Sequence, residues 1–161
     1  VAGYLTHLVL DEVWIVELYR PCFGNPSVFQ DEVRGKVLDR ALQLELDRLS
    51  RAASTAAIPL LAEATDLIVV DLIPAETLSD WRDLVMDIVQ REFTWDRLRF
   101  MARRIAEGDE NHRAHRLAEE FLGDMPRSVE RLYDYVKREE LIAFRERAVE
   151  SLVGTVAEYL E

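Results

Sequence analysis

His7 and Asp11 stand four residues apart in a segment, 3–12, that reads as helical, so their side chains fall one above the other on a single face. An imidazole nitrogen and a carboxylate presented this way can share one divalent cation, and the carboxylate can bridge to a second. Tyr4 and Trp14 flank the pair on roughly the same face. On spacing alone the plainer reading carries more weight. It is a surface His–Asp contact worth a fraction of a kcal/mol, beside aromatic residues that belong to a core.

Other combinations are weaker. His115 and Glu119 repeat the four-residue spacing and Asp109 and His112 stand three apart, yet the stretch 109–115 reads first as a solvated helix start, where acids favour the positive end. A di-iron helical bundle needs Glu-x-x-His twice, and the motif occurs nowhere. The single cysteine, Cys22, sits in Tyr19-Arg20-Pro21-Cys22-Phe23-Gly24, which reads as a packed turn rather than the setting of a nucleophile.

The wider string Gly3-Tyr4-Leu5-Thr6-His7-Leu8-Val9-Leu10-Asp11-Glu12-Val13-Trp14, followed by Tyr19-Arg20-Pro21-Cys22-Phe23, resembles the zinc-dependent phospholipase C family, in particular its hydrolase-like members. The resemblance covers about the first 23 residues, with a looser similarity in 144–160. It implies an all-α fold and a zinc cluster that hydrolyses phosphodiester bonds, with His7 and Asp11 as metal ligands in a substrate cavity lined by Tyr4 or Trp14. That family draws further ligands from a region before this helix and from histidines shortly after it, where this chain has Val16 and Glu17. Two ligands are half a site, because catalytic zinc takes three protein ligands and a water. The chain opens Val-Ala-Gly-Tyr without a helix cap, which fits either natural sequence before Val1 or a domain with a trimmed start, and by itself the chain is expected to be inactive. The alternative is a non-catalytic helical module that binds a small molecule or a partner, homo-oligomers included.

Composition narrows the classes further. The formal charge is −11, from 31 acidic against 20 basic residues. Such a chain repels phosphate backbones, and its basic residues form no stripe, so nucleic acid is not an expected partner. No uncharged apolar run reaches the length of a membrane span. One cysteine precludes an intrachain disulfide and fits a reducing compartment such as the cytoplasm.

Apolar residues recur at three and four throughout, which predicts an all-α domain over 1–161, a bundle of about six to seven helices. The expected helices cover 2–20, ending at Pro21, then 28–52, with apolar stripes through Val37 and Ala41 and through Leu38 and Leu42. The apolar run 67–73 is read as a buried helix. Ser79 and Thr94 are expected to cap the next two helices, Gly108 and Asp109 to divide that region, and Pro126 to open one long final helix reaching about 160. That helix is expected to bury one face through Leu141, Phe144, Ala148, Leu152, Val156 and Tyr159.

Overall fold

The computed structural model describes residues 2–63 and 73–160, with the side chains of 6–63 and 73–159. It is all-α. The elements are α1 (Ala2–Trp14), a π-helical segment (Ile15–Phe23), α2 (Glu32–Ala56), α3 (Ile58–Glu63), α4 (Ala75–Gln90), α5 (Arg97–Ile105), α6 (Arg113–Gly123), α7 (Arg127–Leu132) and α8 (Arg138–Leu160). Six of these α-helices have nine or more residues. Among the described residues no helix is long and apolar enough to cross a membrane. The run 67–72 lies outside the described residues, and Ile73 at its end is exposed.

Two compact units divide the chain, one of residues 1–43 with 96–161 and the other of residues 44–95. In the first, α1 packs along α8 and α5 along α6. Its core collects Leu18, Phe23, Val37, Ala41 and Leu42 from the N-terminal half. Leu98, Leu117, Phe121, Leu132, Leu141 and Phe144 join them from the C-terminal half. Val37 and Ala41 on one stripe of α2 are fully inward, as their spacing predicts, and on the neighbouring stripe Leu42 is fully buried while Leu38 is half-buried.

Pro21 does not end the first helical stretch. The backbone widens after Trp14 into π turns that carry Pro21 to Phe23, and Gly24 N–H closes the stretch on Tyr19 O at 2.6 Å. Proline removes one N–H and crowds the carbonyl four residues back, and a wider turn is one of the ways a helix absorbs that. The end of this segment meets α2 at very short range. A Cβ at Gly35 would stand 2.3 Å from the Phe23 carbonyl oxygen, so this crossing requires glycine.

Helix starts differ from the simplest reading of the capping residues. Pro74 precedes α4, and Ser79 lies inside it with its Oγ accepting from Arg82 Nη2 at 3.2 Å. Asp96 rather than Thr94 precedes α5. His112 caps α6, its Nδ1 accepting from Ala114 N–H at 3.2 Å. Glu107 and Gly108, at φ 51° and 93°, form the left-handed link between α5 and α6.

The expected single helix after Pro126 is two helices. Tyr133, Asp134 and Tyr135 bond their N–H groups three residues back, which tightens the turn, and Lys137 N–H is accepted by Glu140 Oε2 at 3.2 Å as α8 begins. The break buries Leu132 and Val136 completely and lays Tyr135 against Phe29, with ring centroids 4.9 Å apart. Along α8 the inward face runs through Leu141, Phe144 and Ala148, while Leu152 and Val156 are half-buried and Tyr159 is exposed.

In the second unit Leu44 and Glu45 of α2 are buried, and Glu45 takes a two-point hydrogen bond from Arg48, with both distances 2.7 Å. α3 packs on α4. Arg51 donates to the carbonyls of Gln90 and Arg91, which ties the end of α4 back to α2.

Candidate functional site

His7 and Asp11 meet as their spacing predicts. His7 Nε2 lies 3.4 Å from Asp11 Oδ2, and their side chains are 67 % and 58 % exposed. An ion held there would have two protein ligands and water. Among the described residues no group of three or more His, Cys, Asp or Glu side chains is arranged to hold a metal. The donors among the described residues therefore do not complete a catalytic zinc site.

Trp14 has different neighbours. Its ring meets Phe144 edge-on, with centroids 5.5 Å apart and planes at 84°, and its Nε1–H donates to Asp39 Oδ1 at 2.8 Å. Asp39 is only 4 % exposed, and its other oxygen accepts from Gln43 Nε2 at 3.1 Å. Burial pushes the Asp39 carboxyl up, while Trp14, Arg40 and Gln43 pull it back. Tyr4 is on α1, and its side chain lies outside those described.

The remaining sequence candidates have local tasks. His112 caps α6, and His115 Nε2 faces the Asp109 carbonyl at 3.1 Å. Glu119 is joined to Arg99 through two hydrogen bonds of 2.6 and 2.9 Å rather than to His115. Burial pushes the Cys22 thiol up, with Glu140 adding to the effect, opposite to the shift a nucleophilic thiolate needs.

A cleft of about 280 Å³ opens in the first unit where α2 passes α6 and α7. α2 contributes Arg34, Val37 and Leu38. α6 contributes Leu117, Glu120 and Phe121, and Asp124 follows at its end. Ser128 and Arg131 of α7 and Tyr135 close the remaining side. Val37, Leu117 and Phe121 are buried and form an apolar floor, while Arg34, Glu120, Arg131 and Tyr135 reach the surface. Apolar floors with a few placed polar groups are the usual make-up of small-ligand sites, and this volume falls just below their usual range of about 300–1,000 Å³.

The sequence offered one signal for this place: the inward stripe of α2 is bordered by arginine rather than by a neutral residue. Nothing in the linear order joined Arg34 to Arg131 or Tyr135, because the break after Leu132 is what turns Tyr135 towards α2. No family model, curated protein or solved structure matches the chain.

Proposed function

We propose that this chain is a non-catalytic helical module that binds a small molecule in the cleft between α2, α6 and α7. The observation that carries this reading is the make-up of the cleft: a buried floor of Val37, Leu117 and Phe121 under a rim of arginine, tyrosine and carboxylate side chains. Such a cleft can desolvate an apolar body and orient it by polar contacts at its edge. None of its side chains has the arrangement of a nucleophile and a base. A two-dimensional NMR screen of small amphiphiles tests the reading. Shifts should concentrate on the amides of Arg34, Leu38, Phe121 and Tyr135. A screen without shifts, or with shifts gathered elsewhere, overturns it.

A second reading, a zinc-dependent phosphoester hydrolase, is favoured by the proximity of His7 and Asp11 on the solvent side of α1. Under it the pair would supply two zinc ligands, and the rest of the site would come from outside the described residues. Zinc titration checks it. Stoichiometric binding that is lost in both His7→Ala and Asp11→Ala, together with zinc-dependent cleavage of bis(p-nitrophenyl) phosphate, would favour the hydrolase. Zinc uptake unchanged by either substitution would remove it.

A further inference from the structure

We infer that the cleft selects a small amphipathic monoanion, an aromatic or branched carboxylate, held through its charge by Arg34. The inference rests on the reading of the cleft as a ligand site and adds the sign of the ligand. Both acids of the lining are already neutralised. Glu120 accepts from Arg116 at 3.0 Å. Asp124 is paired with Arg131 at 2.5 Å and with Arg127 at 3.8 Å. Arg131 is itself held, since the same nitrogen also donates to Ser128 Oγ at 3.2 Å.

Arg34 is what remains. Among the described residues its guanidinium pairs with no carboxylate. Its sequence neighbour Asp31 is occupied on both oxygens: one accepts the Arg34 backbone N–H at 3.2 Å, and the other is paired with Arg113 at 2.5 Å. A lining whose acids are matched and whose one open charge is a guanidinium favours an anion. The planar fork suits a carboxylate, which it can hold at two points.

The chain's charge of −11 opposes anions at long range. Screening confines that field to about 8–10 Å at ordinary ionic strength, so the local guanidinium sets the preference at contact. Size narrows the class further. The cleft holds about a dozen non-hydrogen atoms at interior packing density, too few for a nucleotide or a phospholipid. The apolar floor supplies contact for a ring or a branched chain, and the adjacent Phe121 and Tyr135 favour a ring.

Three matched probes test this: 3-phenylpropanoate, its neutral amide and the corresponding cation 3-phenylpropylamine, each titrated into the whole chain and followed by two-dimensional NMR. The acid should bind at least about tenfold more tightly than the amide, and the amine more weakly than either. Arg34→Gln should remove the advantage of the acid and leave the amide unchanged, the amide serving as the check that the cleft is intact. An amide or amine that binds as well as the acid, or an Arg34→Gln variant that keeps the preference, overturns the inference while the cleft remains a ligand site. Absence of binding by all three overturns both.

Discussion

Trp14 Nε1–H donates to Asp39 Oδ1 at 2.8 Å, joining residues 25 positions apart through a carboxylate that is almost wholly enclosed. The bond fixes the end of α1 against the N-terminal part of α2. With Gln43 on the second oxygen, it satisfies an acid that would otherwise be costly to bury.

Replacing Trp14 with Phe keeps an aromatic ring against Phe144 and removes only the donor. Asp39 Oδ1 then has no partner in a site with little water. The expected loss of stability is about 1–3 kcal/mol by urea denaturation. A loss below about 0.3 kcal/mol would mean that solvent reaches Asp39 and that the bond contributes little.

Burial raises the Asp39 carboxyl in the folded chain above its unfolded value near about 4. The folded state therefore holds this proton more tightly than the unfolded state. The stabilisation it contributes is fully present below the unfolded pKa and is lost as pH rises through the folded value. Asp39→Asn lacks this titration. Relative to the variant, the wild-type chain should gain stability as pH falls from neutrality towards about 4. Unfolding curves of both proteins across that range give the answer, and parallel pH profiles would refute the raised carboxyl.

Gly35→Ala places a methyl group 2.3 Å from the backbone oxygen of Phe23, which cannot swing aside as a side chain would. α2 must shift away from the π-helical segment. The expected cost is about 1–3 kcal/mol, although alanine is the better helix former at an open site. A stabilised variant would show that the crossing is looser than this.

Leu141 and Leu152 lie on the same side of α8 but differ in depth, the first 2 % exposed and the second half-buried. Leu141→Ala should cost about 2–5 kcal/mol. Leu152→Ala should cost clearly less, because fewer contacts and less sheltered surface are lost. Equal costs in thermal or urea unfolding would mean that α8 is covered along its whole length in solution.

The spacing of apolar residues by itself determined that the described chain is helical and that Val37 and Ala41 face inward. Of the face it predicts along α8, Leu141, Phe144 and Ala148 are buried, whereas Leu152 and Val156 are only half-buried and Tyr159 is exposed. A period of 3.6 residues needs only local geometry and a core to face. The same local geometry brought His7 to Asp11, because residues four apart on a helix are neighbours whatever the fold. Local rules could not say how α1 is turned about its axis. Trp14 meets Asp39 and Phe144, where its N–H satisfies a buried carboxylate on α2. The passage of the chain through Pro21 in π turns, the glycine contact at Phe23 and the break after Leu132 were likewise decided between elements distant in sequence. So was the cleft, where Arg34 and Tyr135 share one lining because the chain breaks after Leu132 instead of continuing one helix from Pro126.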